Sequence, residues 1–408
     1  MLLPRKIDED VIFLGGIDRR LQQFENMFEL PYGVTYNSFL IMDEKTCVMD
    51  SVDNAVRESF FDGLALSLCD RKLDYFVVNH AEPDHAATIT QLLDCQPECT
   101  LVTSKKCLDF LQQFDRRYDY SKVKVQIVED GSILDLGKHK LKFFTAPNVH
   151  WPEVTVALDT YDGTLYSADA FGSFGAFDGY LFCDEVDYSE KWISENRRYY
   201  TNIVGRQGMA VQRLLKKFEG ETIKRIFPLH GLLFRTPESI EMILDKYQHW
   251  STYTAEEAGV VIIYGSMYQN SQEIADNFAS MLAKENPGKI RVYDVSKTNI
   301  SWLISDCFRF SHAVFVCNNY NTELYPKMDA FLRELMMLNW DNHKVTLLGN
   351  MSWGGRGLKI AEEILERAKN IEHIESGFTI KSSLAAEQTE ELEKVAKAVA
   401  VSMKEFKA

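Results

Sequence analysis

The chain has 408 residues, a length that predicts two domains because one ordinary hydrophobic core rarely grows so large. Hydrophobic residues make up 46% of the sequence and aromatic residues 12%, which is ample for folded globular structure. The formal net charge of −15 argues against a nucleic-acid partner, because a phosphate backbone is bound by clustered lysine and arginine.

The N-terminal residues and the cysteines predict a cytoplasmic protein that does not enter a membrane. The sequence becomes acidic by Asp8 and does not build the apolar stretch of a signal peptide. No apolar run approaches the roughly 18 residues of a membrane span. The eight cysteines are scattered without a Cys-x-x-Cys pair, which is typical of structural or free thiols in a reducing compartment.

Residues 1–252 are predicted to form a first domain of mixed strands and helices. Apolar or alternating runs predict strands at 34–42, 47–50, 75–78 and 141–145. Helical periodicity predicts helices at 55–69, 89–93, 105–114 and 190–217. Such a mixture favours layered αβ/βα packing over a pure β-sandwich.

The densest set of metal-binding side chains follows the predicted strand 75–78, in Asn79-His80-Ala81-Glu82-Pro83-Asp84-His85. We interpret this segment as a loop, because a loop leaving a buried strand can direct several side chains to one point. Imidazole suits zinc, copper or iron, whereas carboxylates suit harder ions. The mixed set therefore favours iron or manganese.

Three further candidates, His150, Asp169 and His230, follow apolar strand-like runs. Taken singly, each fits an ordinary role as a packed histidine or a turn-forming aspartate. Together with His80, Glu82, Asp84 and His85 they favour a metal site. Four histidines and three carboxylates would fit a binuclear site with three terminal ligands per metal and one bridging carboxylate. The other five histidines (139, 249, 312, 343 and 373) are predicted to be surface or core residues.

A polar stretch at 249–257 is the predicted boundary, and residues 258–408 are predicted to form the second domain. Apolar runs predict strands at 260–264, 290–295, 313–317, 345–348 and 378–380. Helical stretches begin at Ser271, Ile300, Lys327, Leu358 and Glu387. This regular alternation predicts a doubly wound parallel sheet of the flavodoxin type.

The pattern H-x-E-x-D-H, followed at distance by His, Asp and His, resembles the flavodiiron proteins, also called A-type flavoproteins. That family joins a metallo-β-lactamase-like domain to a flavodoxin-like domain. The resemblance implies two irons and no catalytic side chains beyond their ligands. It assigns the ligands in two groups that share Asp169 as a bridge: His80, Glu82 and His150 for one iron, and Asp84, His85 and His230 for the other.

Glu82 separates redox chemistry from hydrolysis within this resemblance. Hydrolytic members of the metallo-β-lactamase superfamily typically carry H-x-H-x-D-H, with histidine where this sequence has Glu82. An additional anionic oxygen ligand stabilises ferric iron and disfavours a zinc hydrolase. The alternative that stays open is a zinc hydrolase with an appended flavodoxin-like domain.

Three loops of the second domain are predicted to bind FMN. A turn rich in hydroxyl and amide groups at a helix N-terminus can bind a phosphate, although such turns also cap helices generally. Its position after the first strand of a doubly wound sheet favours the binding role. The predicted contacts are Ser266, Met267, Tyr268, Gln269, Asn270, Ser271, Asn319, Tyr320, Asn321, Thr322, Ser352, Trp353, Gly354 and Gly355.

The loops depart from the family pattern at three places. Gln269 stands where the family usually has glycine, Asn318-Asn319 replaces Pro-Thr, and Asn350-Met351-Ser352 replaces Ser-Tyr-Gly. Tyr320 and Trp353 can nevertheless flank an isoalloxazine ring. The departures bear on individual FMN contacts and on the flavin potential.

The resemblance implies an oxidoreductase that reduces dioxygen to water, nitric oxide to nitrous oxide, or both. FMN would relay electrons from an external donor, either a rubredoxin-type carrier or a deazaflavin. The family also implies a head-to-tail homodimer, or a dimer of such dimers. The sequence does not distinguish the two gases, because both are small and weakly polar.

Overall fold

The computed structural model describes residues 3–407. The chain divides into two compact units, Met1–Tyr247 and Gln248–Ala408. The predicted boundary at 249–257 lies just after this division. The helix Pro237–Ser251 contains the point of division between Tyr247 and Gln248. Among the described residues, no helix is both long enough and apolar enough to cross a membrane.

The first unit contains mostly short strands, numbered here in chain order. They are β1 (Arg5–Lys6), β2 (Val11–Phe13), β3 (Gly16–Asp18), β4 (Gln23–Phe24), β5 (Phe28–Glu29), β6 (Val34–Tyr36), β7 (Phe39–Met42), β8 (Thr46–Met49), β9 (Tyr75–Val78), β10 (Thr100–Thr103), β11 (Lys124–Ile127), β12 (Ile133–Asp135), β13 (Lys140–Thr145), β14 (Thr155–Asp159), β15 (Thr164–Tyr166) and β16 (Arg225–Phe227).

Helices of three kinds accompany these strands. The α-helices are α1 (Arg57–Leu68), α2 (Pro83–Ala86), α3 (Ile89–Cys95), α4 (Lys105–Phe114), α5 (Ile193–Tyr199), α6 (Gly208–Lys217) and α7 (Pro237–Ser251). Short 3₁₀ turns occupy Asn54–Val56, Tyr120–Lys122, Cys183–Glu185 and Gly205–Gln207. Two π-helical turns occupy Tyr188–Trp192 and Tyr200–Val204.

Two sheets form the core of the first unit. Their strand orders are β1-β2-β7-β8-β9-β10-β11 and β12-β13-β14-β15-β16. Phe39 of β7 stacks on Phe227 of β16 at 4.9 Å and meets Tyr166 of β15 edge-on at 5.5 Å, so the sheets pack face to face. Burial of each such ring contributes roughly 1.5–3 kcal/mol. The predicted αβ/βα fold is confirmed.

The predicted strand 34–42 is interrupted at Asn37 and Ser38. The Asn37 side chain donates hydrogen bonds to the carbonyl oxygens of Pro228 (2.8 Å) and Gly231 (2.9 Å). The backbone N–H of Asn37 donates to the carbonyl of Leu229 at 2.7 Å. The interruption therefore fixes the backbone on both sides of His230, a contact that apolar alternation along one strand cannot reveal.

The predicted helix 190–217 is wrong as one continuous element. The segment passes through α5, a π-helical turn and a 3₁₀ turn before α6 begins at Gly208. The amide of Asn196 is buried and donates to the backbone carbonyls of Phe171 (3.0 Å) and Gly172 (2.7 Å). Such irregular turns are frequent near functional sites, and here they accompany tertiary contacts that local periodicity does not encode.

The second unit alternates strands and helices. Its strands are β17 (Glu257–Tyr264), β18 (Lys289–Asp294), β19 (Phe310–Tyr320), β20 (Glu323–Leu324), β21 (Lys344–Met351), β22 (Glu372–His373) and β23 (Phe378–Lys381). Its helices are α8 (Asn270–Lys284), α9 (Ile300–Arg309), α10 (Pro326–Met337), α11 (Gly357–Leu365) and α12 (Ala386–Glu405).

The sheet of the second unit is doubly wound, as predicted. Its strand order is β18-β17-β19-β21, with β22 and β23 both paired to β21, and these neighbours are parallel. Residues of α9, α10 and α11 form one buried cluster with the sheet, and residues of α8 and α12 form another. Helices therefore cover both faces, and the loops after β17, β19 and β21 lie at the carboxyl ends of adjacent strands.

Candidate metal centre and loop pocket

The seven predicted metal ligands gather at one place in the first unit. They form two groups of possible ligand atoms, His80, Glu82, His150 and Asp169 in one and Asp84, His85 and His230 in the other. The segments that carry them follow β9, β13, β15 and β16. Because β13, β15 and β16 run in the same direction, their exits share one edge of the second sheet.

The predicted loop at 79–85 is wrong in its second half, where α2 forms one helical turn. Pro83 begins this turn, a position where its missing N–H leaves no hydrogen bond unmade. Glu82 immediately before it has extended backbone, with φ −62° and ψ 139°. The backbone changes conformation after Glu82, and residues close in sequence point to different groups of ligand atoms. Glu82 belongs to the first group, and Asp84 and His85 belong to the second.

The first group has the spacing of ligands around one ion. Nε2 of His80 lies 3.1 Å from Oε2 of Glu82 and 3.0 Å from Oδ2 of Asp169. Nε2 of His150 lies 3.0 Å and 3.2 Å from the same two oxygens. Ligand atoms at right angles around an ion about 2.1 Å away are about 3.0 Å apart. The four atoms can therefore hold one metal ion.

The second group shares Asp169 with the first. Nε2 of His85 lies 3.0 Å from Nε2 of His230 and 3.4 Å from Oδ2 of Asp84. The other oxygen of Asp169, Oδ1, lies 3.2 Å from His85 and 3.6 Å from His230. Asp169 thus directs one carboxylate oxygen to each group, which is the arrangement of a bridging ligand between two metals.

The electrostatics of this cluster favour cations. Burial lowers the pKa of His80, but Asp169, Glu153 and Glu82 together raise that pKa well above its ordinary value. The same balance raises the pKa of His150 to about 9, with Asp169 and Glu82 outweighing burial. His80 and His85 hold the pKa of Asp169 well below its usual range despite burial. The cluster therefore attracts positive charge, whether protons or metal ions.

Several ligand atoms lack hydrogen bonds within the protein. Both carboxylate oxygens of Asp84 and Oδ1 of Asp169 are buried without a hydrogen-bond partner. A buried carboxylate oxygen without a donor is costly, so a cation between the groups would stabilise them. The donor set of four imidazoles and three carboxylates fits iron.

A cavity of about 250 Å³ lies at the carboxyl ends of β17, β19 and β21. Twelve of the fourteen predicted FMN contacts line it, and Gln269 and Gly355 do not. Asn318, Asn350 and Met351 line it in addition. Three aromatic side chains remain largely open to solvent, with Tyr268 85%, Trp353 70% and Tyr320 46% exposed.

The asparagines that depart from the family pattern hold the pocket loops together. Oδ1 of Asn319 accepts a hydrogen bond from the backbone N–H of Gly357 at 2.8 Å. Gly355 has a φ of 152°, a conformation that favours glycine, and a Cβ at this position would lie 2.3 Å from Nδ2 of the same side chain. Nδ2 of Asn350 donates to the carbonyl of Ser382 at 2.7 Å. Gln269 is exposed and starts α8 with a φ of 73°, a left-handed conformation that glycine adopts more easily.

Comparison with known proteins identifies the same architecture. The family model described as "ODP family beta lactamase" matches residues 34–231. The anaerobic nitric oxide reductase flavorubredoxin of Aeromonas hydrophila is 27% identical over 385 residues, covering 93% of this chain and 74% of that protein. The flavorubredoxin of Klebsiella pneumoniae is 27% identical over 354 residues, covering 86% and 72%. The predicted resemblance to flavodiiron proteins is confirmed.

Solved structures of flavodiiron proteins have the same fold. The rubredoxin:oxygen oxidoreductase of Desulfovibrio gigas superposes with a TM-score of 0.90 at 24% identity and covers 98% of both chains. The flavodiiron protein of Giardia intestinalis gives the same TM-score and identity, covering 99% of this chain and 98% of that one. The order of the two units in this chain is therefore the one found in flavodiiron structures.

The sequence interpretation missed the groups that orient the flavodiiron-type ligands. Nδ1 of His80 donates to Oε1 of Glu153 at 2.7 Å, and Nδ1 of His230 donates to the carbonyl of Thr35 at 2.6 Å. These bonds direct both Nε2 lone pairs into the site. Glu153 lies three residues after His150 and could have been noticed, but a backbone carbonyl leaves no signal in the sequence.

Aromatic side chains pack against two of the proposed ligands. The ring of Tyr36 lies 5.7 Å from the ring of His230, and the ring of Trp151 lies 5.3 Å from the ring of His80. Tyr200 packs on Tyr247 at 4.8 Å instead. The ring of its neighbour Tyr199 lies 5.4 Å from the ring of His230. Consecutive residues in a helix point in different directions, so Tyr199 and Tyr200 contact different parts of the protein.

Proposed function

We propose that the chain is a flavodiiron oxidoreductase that reduces dioxygen to water, nitric oxide to nitrous oxide, or both. The observation that carries this proposal is the position of Asp169, whose two oxygens face two separate groups of ligands. A gas molecule that must accept several electrons benefits from two adjacent redox metals. The flavorubredoxins named above, described as nitric oxide reductases, support the same activity.

The first unit would hold two irons through the two groups that share Asp169. When bound, the irons supply the electrons and the coordination positions at which the gas is reduced. Glu153 and the Thr35 carbonyl fix the orientation of His80 and His230. The rings of Phe24, Tyr36 and Tyr199 pack around His230 and limit water near it. Glu82 gives the site the carboxylate that distinguishes it from the zinc-hydrolase alternative.

FMN would occupy the pocket at the carboxyl ends of β17, β19 and β21. The N-terminus of α8, with Ser266, Asn270 and Ser271 beside it, offers the donors that a phosphate requires. Tyr320 and Trp353 offer ring faces for the isoalloxazine. The predicted individual contacts, including Gln269 and Gly355, stay predictions that FMN-binding measurements on single variants would test.

An external donor would reduce the flavin. The words "flavorubredoxin" and "rubredoxin oxygen:oxidoreductase" in the names of similar proteins support a rubredoxin-type carrier, and a deazaflavin is the alternative. We also propose a cytoplasmic location and a head-to-tail homodimer, or a dimer of such dimers. Size measurement in solution and donor-exchange assays test these points.

Anaerobic gas consumption by purified protein tests the proposed activity directly. Protein loaded with iron and FMN is reduced chemically, and uptake of nitric oxide and of dioxygen is measured side by side. The Glu82→Ala variant should lose iron and gas reduction while it keeps FMN, because the flavin pocket lies in the other unit. Full turnover in this variant would show that the ligand assignment is wrong.

A further inference from the structure

The cavity at the carboxyl ends of β17, β19 and β21 combines an exposed aromatic part with a buried polar part. Tyr268, Tyr320 and Trp353 line it and remain largely open to solvent. Asn318 lines it as well, but only 4% of this residue is exposed. No lysine, arginine, aspartate or glutamate is among the described residues that line the cavity. A ligand there is therefore recognised by ring contacts and by hydrogen bonds to neutral groups.

Three asparagines line this cavity at positions where the sequence departs from the family pattern, and two of them bind other parts of the protein. Oδ1 of Asn319 accepts a hydrogen bond from the backbone N–H of Gly357 at 2.8 Å. Nδ2 of Asn350 donates to the carbonyl of Ser382 at 2.7 Å. Asn318 differs from both, because its amide oxygen Oδ1 is buried without a hydrogen-bond partner among the described residues.

The amide of Asn318 is suited to a hydroxyl group. A buried amide oxygen without a donor destabilises the folded protein by about 1–3 kcal/mol, so a donor from a bound molecule would stabilise it. The amide carries a donor, Nδ2, beside the acceptor Oδ1, and rotation about the terminal side-chain bond exchanges their positions. A hydroxyl group both donates and accepts, so it can pair with the amide in either orientation, whereas a phosphate oxygen can pair only with Nδ2.

The position of Asn318 indicates which part of FMN would reach it. A Cβ at Gly265 would lie 2.8 Å from Oδ1 of Asn318, so the lack of a side chain at Gly265 makes room for this amide. Gly265 directly precedes Ser266, where the turn proposed to bind the phosphate begins. Asn318 lies two residues before Tyr320, whose ring is proposed to flank the isoalloxazine. The part of FMN between its phosphate and its ring is the ribityl chain, which carries hydroxyl groups.

We propose that Asn318 binds a hydroxyl of the ribityl chain and makes the cavity specific for flavins that carry this chain. The inference rests on the proposed binding of FMN by the second unit. The proline that is usual in the family at this position has no hydrogen-bonding group in its side chain. The contact is therefore an addition made by this sequence to the family's pattern of FMN binding.

Titration of the full-length, FMN-free protein with three flavins tests the proposal without measuring turnover. FMN has the ribityl chain and the phosphate, riboflavin has the chain alone, and lumiflavin has neither. We expect Asn318→Ala to raise the dissociation constants of FMN and of riboflavin by about tenfold, the effect of one lost hydrogen bond. The dissociation constant of lumiflavin should change by less than about twofold. Quenching of flavin fluorescence measures all three.

A second variant and a control accompany this measurement. Asn318→Pro introduces the residue that is usual in the family, so the loop should accommodate it, and it should weaken binding of FMN and riboflavin in the same way. The exposed Asn370 belongs to the same unit and does not line the cavity. Asn370→Ala should therefore change the affinity for each flavin by less than about twofold.

Three results would overturn the proposal. Unchanged affinities for FMN and riboflavin in both Asn318 variants would show that the amide binds neither. Lumiflavin binding weakened as much as riboflavin binding would mean that the amide supports the ring or the loops. Weaker binding of FMN with unchanged binding of riboflavin would place the contact at the phosphate. If the unmodified protein bound none of the three flavins, the proposed flavin function itself would fail, which is a different outcome from any of these.

Discussion

The first unit contains two buried clusters of histidine and carboxylate that differ in how their charge is balanced. In the cluster around His139, Nδ1 of His139 lies 2.5 Å from Asp159 and Nε2 lies 3.3 Å from Asp10. Lys138 binds Asp10, and Arg225 binds Asp162. Asp10 and Asp162 are thus each paired with a lysine or arginine of the protein. The cluster around His139 is a structural network of ion pairs.

The carboxylates of the metal centre, by contrast, are not paired with lysine or arginine among the described residues. Among the described residues, the ion pairs of Glu82, Asp84 and Asp169 are with imidazoles and not with lysine or arginine. Carboxylate oxygens of Asp84 and Asp169 are buried without hydrogen bonds. Closely spaced histidine and aspartate side chains therefore do not identify a metal site by themselves. The possible ligand atoms of His139, Asp159 and Asp162 are also close enough together to hold an ion. What identifies the site is charge that the protein leaves unbalanced.

The largest expected effect follows from removing the shared carboxylate charge. Asp169→Asn should lower gas reduction by at least about 1,000-fold, because the loss of a bridging ligand leaves two positive ions without their common anion. Metal analysis should find one iron per chain or fewer, and the flavin spectrum should be unchanged. Retention of two irons with normal turnover would contradict the assigned bridge.

A smaller effect is expected when only the orientation of a ligand changes. Glu153→Gln should weaken iron binding about 10- to 100-fold, since it weakens the hydrogen bond that orients His80. Competition with a chelator measures this affinity. Glu129→Gln, at an exposed glutamate of the same unit, is the control and should bind iron normally.

The His139 cluster should affect stability and leave metal binding alone. Although burial lowers the pKa of His139, Asp159 and Asp10 raise it to about 9, so the stabilisation is present in full below the unfolded value of about 6.5. His139→Gln should therefore lower the free energy of unfolding at pH 6 by about 3 kcal/mol. The difference should disappear as the pH rises through 9, and urea unfolding at several pH values measures it. A change of iron content in this variant would remove the distinction between the two clusters.

The smallest effect is expected at the loop pocket, where asparagines replace the residues usual in the family. Asn319→Ala should weaken FMN binding by about tenfold, because the loops after β19 and β21 lose the hydrogen bond that joins them. Quenching of flavin fluorescence during titration of FMN-free protein gives this affinity. Asn370→Ala is the matched control, because it removes the side chain of an exposed asparagine of the same unit that does not line the cavity, and its FMN affinity should stay within twofold.

The sequence predicted those features that local pattern encodes. The seven proposed ligands could be named because each is a metal-binding residue at or just after the end of an apolar run. The five longer strands of the second unit were found because they are apolar or alternate, whereas the two-residue strands β20 and β22 escaped because they are too short to show a period. The break at Asn37 and the interruption of the helix after Tyr199 escaped prediction because distant contacts cause them. The hydrogen bond between Glu153 and His80 escaped for the same reason, since the two residues lie 73 positions apart along the chain.

The distance between the two bound irons tests the central claim most directly. X-ray absorption on iron-loaded protein should show an iron–iron separation of about 3.5 Å, as expected for two metals that share a carboxylate. The separation should be absent from the Asp169→Asn variant. A protein that binds a single metal ion, or two irons too far apart to share Asp169, would contradict the account.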